Sequence, residues 1–117
     1  MNISYRFTSK SVLFSILLIG LLLFPTLAYA ANAPVITAVY PSSGPRSGGT
    51  MIQINGFGFQ PGAKVVIGGN QAPTAQVVSS TLIYAITPSS TVSGSAVVRV
   101  RNPDGQVAIF ASGFIYY

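Results

Sequence analysis

Cysteine, histidine and glutamate are absent from this 117-residue chain, and aspartate occurs once, at Asp104. Without cysteine there is no disulfide, no thiol nucleophile and no lipid-anchoring cysteine. Without histidine as well, the usual general bases and zinc ligands are missing. Glycoside hydrolysis by paired carboxylates needs two acids, and a calcium site normally takes several. No catalytic, metal-binding or cofactor-binding residue is therefore assigned, and the expectation is a protein that is not an enzyme. Two glycine-rich stretches, Gly44 to Thr50 and Gly56 to Pro61, resemble nucleotide loops only superficially. The first lacks a Gly-Lys-Ser/Thr ending and the second has Pro61 where a third glycine belongs. Neither is followed by a helix pattern whose N-terminus would hold phosphate, so both read as turns.

What is present begins with a segment that is not part of the fold. Arg6 and Lys10 give a basic start, and Val12 to Phe24 is apolar apart from Ser15 and Gly20. Pro25 then breaks the run and Ala28-Tyr29-Ala30 places small residues two apart. That order predicts a secretory signal over residues 1–30, cleaved after Ala30. A membrane anchor is the competing reading, but spanning asks for ~20 apolar residues and this run is shorter. The mature chain, residues 31–117, is expected to be one exported domain with no membrane span, periplasmic, extracellular or on the cell surface.

Residues 31–117 hold 19 Val and Ile against a single Leu, Leu82. With β-branched residues dominant and helix formers other than Ala scarce, the domain should be all-β. Four cations (Arg46, Lys64, Arg99, Arg101) stand against Asp104, too few for a nucleic-acid footprint. With so few acids, stability should be nearly flat from about pH 5 to 8. Short runs alternate with Gly, Pro, Ser and Asn, the pattern of a sandwich or small barrel. Strands are predicted at 35–40, 50–55, 64–67, 75–78, 81–87, 95–101, 107–110 and 114–117. Ile52 and Ile54 share one face, as do Val65 and Ile67, while Ala96, Val98 and Val100 point in and Val97, Arg99 and Arg101 point out. Asn102-Pro103-Asp104-Gly105 is a strong turn signal.

The series Pro34-Val35-Ile36-Thr37, Pro41-Ser42-Ser43-Gly44-Pro45, Gly48-Gly49-Thr50, Ile52-x-Ile54-x-Gly56-x-x-Phe59 and Val65-x-Ile67-Gly68-Gly69 resembles the front half of an IPT/TIG domain. Ile83 to Pro88, Val98-x-Val100-x-Asn102-Pro103-x-Gly105 and Phe114-x-Tyr116 follow in the family's order. The resemblance implies an immunoglobulin-like β-sandwich of about seven strands with no catalytic centre. Gly48 and Gly49 would turn a loop tightly into the second strand, and Phe59 would plug the core below that strand's end. The Asn102–Gly105 turn would close a hairpin between the last two strands. Relatives of this type occur in cell-surface receptors, transcription factors, bacterial surface proteins and beside the catalytic domains of starch-acting enzymes, so the family narrows function to a binding or spacing module.

The family register places Ile83 and Ala85 inward and leaves Leu82, Tyr84 and Ile86 outward. A strand apolar on both faces is expected where something covers it, which makes this face a candidate surface for a protein partner or for self-association. A one-residue slip would instead make Leu82, Tyr84 and Ile86 core, and both readings stand at this point. Arg99 and Arg101, with Lys64, form either a modest cationic strip for an anionic polymer or a solvated guard against edge pairing. Tyr117, Tyr84 or Phe57 stacking on sugar rings would suit a carbohydrate-binding accessory protein beside a separate enzyme. Sparse charge favours association over a free monomer. The expected function is therefore an exported binding, adhesion or assembly module without a cofactor and without a nucleic-acid partner.

Overall fold

A computed structural model describes residues Asn32–Tyr117; the expected secretion signal lies outside the described residues. Among the described residues nine strands follow in chain order: β1 (Val35–Tyr40), β2 (Ser43–Gly44), β3 (Met51–Phe57), β4 (Lys64–Ile67), β5 (Asn70–Gln71), β6 (Thr74–Ser79), β7 (Leu82–Ile86), β8 (Gly94–Arg101) and β9 (Val107–Tyr116). They form a four-stranded sheet in the order β1-β3-β7-β6 and a five-stranded sheet in the order β2-β9-β8-β4-β5. Seven strands are of ordinary length and two have only two residues, in an immunoglobulin-like β-sandwich. All pairings are antiparallel except β2 with β9.

Period-two alternation places the core. Ile52, Ile54, Ile83 and Ala85 point inward from one sheet, and Val65, Ile67, Val98, Val100 and Phe114 from the other; all are buried. Each fully buried Val, Ile or Phe stabilises the fold by roughly 1.5–3 kcal/mol relative to an exposed one. Phe59 is buried beyond the end of β3, and Phe114 meets Tyr116 edge-on with ring centroids 5.0 Å apart.

Two departures from the predicted strands have one cause. In β1 the register skips Thr37, so Ile36 and Val39, three residues apart, are both buried. The Thr37 hydroxyl donates to the Asn55 carbonyl at 3.2 Å across this bulge. In β9 the register jumps so that Phe110 pairs with Val98 and Phe114 with Ala96. Ala111-Ser112-Gly113, which reads as punctuation between two strands, is a bulge within a single ten-residue strand. In β1 the one inserted residue resets the inward–outward phase, whereas in β9 three residues stand opposite Val97 and Ala108, Phe110, Phe114 and Tyr116 keep a single inward phase; neither bulge leaves a compositional mark. Asn70 pairs with Ile67 across the Gly68-Gly69 turn, adding the two-residue strand β5 that lies outside the predicted strands.

The loop from β2 to β3 is held against the β7–β8 loop. Gly49 N donates to Thr87 O at 2.9 Å, Thr87 N to Thr50 O at 2.9 Å, and Thr50 N to the buried Thr87 Oγ1 at 3.0 Å. Gly48 has φ +77°, and a Cβ there would stand 2.7 Å from the Pro88 carbonyl carbon. Gly44 is buried beside Thr50 and Phe114.

Candidate functional site

Charge is partitioned between the two sheets. No residue of β1, β3, β6 or β7 is Asp, Glu, Lys or Arg. The pairing register lines up a row across all four strands of the neutral sheet: Tyr40 opposite Gln53, Gln53 opposite Tyr84, and Tyr84 opposite Gln76. Tyr40 and Tyr84 are thus two strands apart, about 10 Å at the usual inter-strand spacing. Gln53 Nε2 donates to Asn55 Oδ1 at 3.3 Å, tying the amide of the row to its neighbour on the same strand face. Beside Tyr84 a hollow of about 70 Å³ is lined by Met51, Thr74, Gln76 and Ile86 among others.

Tyr84 is 37% exposed while Ile83 and Ala85 are 0% and 1% exposed. Leu82, Tyr84 and Ile86 therefore face outward, Leu82 and Ile86 half-buried, and the slipped register does not occur. Tyr40, Gln53 and Gln76 join them. The sequence shows Gln53 opposite in face to Ile52 and Ile54, but not that β1 and β6 flank β3 and β7, so the row as a unit is invisible in one dimension. Phe57 and Tyr117 are also exposed, at 62% and 70%, but neither lies in the row.

Four sheet edges are open among the described residues, and they are not alike. The β1 edge is bulged at Thr37, and β2 and β5 have two residues each. Edge β6, Thr-Ala-Gln-Val-Val-Ser, runs six residues with no charge and no proline, bulged only near its end at Val78. Bulges, charges, prolines and shortness are the usual protections of an edge, and β6 has the fewest.

The five-stranded sheet carries the cations. Arg99 and Arg101 are exposed on β8, and Lys64 of β4 is the register partner of Arg101. Next to this pair Asn102 is 1% exposed and acts as a staple. Its Nδ2 donates to Gly58 O at 2.8 Å, and its Oδ1 accepts from Gln60 N at 3.1 Å. Asn102 N donates to Gln106 O and Gly105 N to Asn102 O, both at 2.9 Å, closing the hairpin between β8 and β9 as expected. Pro103 and Gly105 are exposed in that turn. Asp104 is occupied locally: Oδ2 accepts from Gln60 Nε2 and Oδ1 from Gln106 N, each at 3.0 Å.

Tyr116 is buried, and its hydroxyl donates to Pro88 O at 2.8 Å. Burial pushes its phenol above the ordinary tyrosine value of 10.0, because the charged form is poorly solvated there. The unfolded chain then releases this proton before the folded one does, so stability present below pH 10 is lost as pH rises through the folded value. Thermal melts between pH 8 and 12 should show this fall. Tyr116→Phe should flatten the limb while costing about 1 kcal/mol at neutral pH from the lost hydrogen bond; an unchanged limb would place the alkaline sensitivity elsewhere.

The family profile for the IPT/TIG domain matches residues 34–116. Among curated proteins, the chain is similar to Plexin-2 of Caenorhabditis elegans, 40% identical over 71 residues, covering 59% of this chain and 4% of that protein. It is similar to Fibrocystin-L of Mus musculus, 38% identical over 58 residues, covering 50% of this chain and 1% of that protein. It is also similar to Protein MGA2 of Saccharomyces cerevisiae, 32% identical over 75 residues, covering 64% of this chain and 7% of that protein. The chain thus spans less than a tenth of each of these relatives. Among solved structures, the full extracellular region of Plexin A4 superposes with a TM-score of 0.62 at 23% identity, covering 74% of this chain and 9% of that one. An auxiliary nutrient binding protein from Bacteroides ovatus superposes with a TM-score of 0.59 at 25% identity, covering 74% of this chain and 21% of that one.

Proposed function

From the premise that this chain belongs to the IPT/TIG domain family, we propose that it is a non-catalytic binding module that associates with a protein partner or with its own copies through the uncharged outer face of its four-stranded sheet. The observation that carries this reading is the absence of any acidic or basic side chain from that sheet, together with the outward-facing row Tyr40–Gln53–Tyr84–Gln76 and the least-protected edge, β6. Tyrosine supplies contact area at low entropic cost, and interface centres are depleted in charge. An edge strand without charge or proline can add a further strand through its free backbone groups. The N-terminal basic–apolar–small pattern supports export after cleavage following Ala30, and the lack of His, Cys and paired acids supports a module that does no chemistry.

A second reading is carbohydrate binding beside a separate enzyme. It is favoured by the Tyr/Gln alternation, because aromatic faces stack on sugar rings and amides bond hydroxyls, and by the likeness to a nutrient-binding protein.

Light scattering of the purified protein across a wide concentration range tests the first reading. Concentration-dependent oligomers, or capture by a partner, should weaken at least about tenfold in Tyr84→Ser, with about 1 kcal/mol or less lost from folding stability. Oligomers that persist undiminished in Tyr84→Ser would remove this face from the interface. A monomer at every concentration that is retained on insoluble polysaccharide would transfer the face to the second reading.

A further inference from the structure

The cations of the five-stranded sheet are arranged at odds with folding stability. Lys64 and Arg101 stand directly opposite each other on neighbouring strands, and Arg99 shares their face two residues along β8. Cross-strand partners lie ~5 Å apart and i, i+2 neighbours ~7 Å apart. Like charges directly opposite destabilise a sheet, and the carboxylate of Asp104 accepts hydrogen bonds from Gln60 Nε2 and Gln106 N. An open depression of about 320 Å³ lies at this end, lined by Gly62, Lys64, Arg101, Asn102 and Pro103. Its floor is rigid, because the Asn102 side chain is held at both ends. One anionic group seated there can meet Lys64 and Arg101 together, and a second, further along a chain, can meet Arg99.

We propose that the Arg99–Arg101–Lys64 face, with its adjoining depression, is a binding site for a linear acidic polysaccharide. Charge complementarity requires an anion, and three cations at two spacings suit a chain of repeated anionic groups better than one ion. The register neighbours of the arginines are aliphatic: Val66 and Ile109 flank Arg99, and Val107 flanks Arg101. A sugar ring can lay its C–H face on these side chains. Nucleobases would find no aromatic to stack on among them, whereas stacking supplies much of single-strand affinity. The site is separate from the neutral face, so it stands whether or not that face binds a partner.

The test is retention of the purified protein on immobilised polygalacturonate, with uncharged dextran as the control matrix. Retention should occur at low salt on polygalacturonate alone and vanish as sodium chloride rises, since the Debye length falls from ~10 Å at 0.1 M to ~3 Å at 1 M. The double variant Lys64→Gln/Arg101→Gln should bind on the order of tenfold more weakly or worse, and its melting temperature should hold or rise because a like-charge pair is gone. Arg46→Gln, which removes a cation outside the strands, should leave retention unchanged and so separate a local site from net charge. No retention at low salt, equal retention on dextran, or a double variant that binds like the parent would overturn the proposal. So would tighter binding to single-stranded DNA or to vesicles of anionic phospholipid.

Discussion

Asn102→Ala should lower folding stability by about 2–3 kcal/mol, one of the largest losses available to a single polar residue in this domain. Asn102 bonds the Gly58 carbonyl and the Gln60 amide, on the loop that leaves β3, from the turn that joins β8 to β9. Alanine leaves both backbone groups without their partner, and an unmet buried group costs about 1–3 kcal/mol. For a domain of this size each kcal/mol moves the melting temperature by about 4–8 °C, so a fall of at least roughly 10 °C is expected by thermal melt. Asn102→Asp adds a sharper check. The carboxylate keeps the acceptor for Gln60 N but turns a negative oxygen towards the Gly58 carbonyl, and protonation restores a donor. Its folded pKa should therefore be raised, so its stability relative to the parent should improve as pH falls. A melting change within 2 °C for Asn102→Ala would mean that solvent satisfies both groups and that Asn102 is no staple.

Sequence alternation made most of the core legible and little of the surface. Ile52/Ile54, Val65/Ile67 and Ala96/Val98/Val100 read as inward because a strand has a period of two and the opposite positions are mostly polar or charged. Ile83/Ala85 could not be read that way, since β7 is apolar on both faces; only the family register chose its phase, and Tyr84 at 37% exposure agrees with that choice. The bulges at Thr37 and at Ala111–Gly113 were not legible, because nothing in their composition separates an inserted residue from an end of strand. The pairing of Ser43–Gly44 with β9 joins segments about seventy residues apart, which no local pattern reports. The same limit applied to function. Arg99, Arg101 and Lys64 were legible as a cationic strip, whereas the placement of Lys64 directly opposite Arg101 depends on which strands are neighbours. Tyr40 and Gln76 join Tyr84 in a row only through strand order.

Gly56→Ala should cost about 3 kcal/mol or more, although a single methyl group is added. Gly56 is the third inward position of β3 after Ile52 and Ile54, and it pairs with Ile36 of the edge strand β1. A Cβ there would run into the Val35 carbonyl oxygen and come within 2.7 Å of Phe59 Cζ. Phe59 can move only by leaving its buried site, and a backbone carbonyl has no rotamer to change. The added carbon must push β1 away from β3 or expel Phe59, and overpacking of this kind costs 1–3 kcal/mol even where side chains can adjust. Gly49→Ala is the matched control: its φ is +83° but no atom lies within 4 Å of the added Cβ, so it should cost only about 1 kcal/mol of backbone strain. Urea unfolding of the two variants separates crowding from conformational strain. Equal losses would mean that β1 yields freely and that close packing at Gly56 is not what holds the edge strand. A double variant with Phe59→Leu locates the obstacle. Stability no better than the sum of the single losses is expected if the Val35 carbonyl is the barrier, whereas strong recovery would assign it to the Phe59 ring.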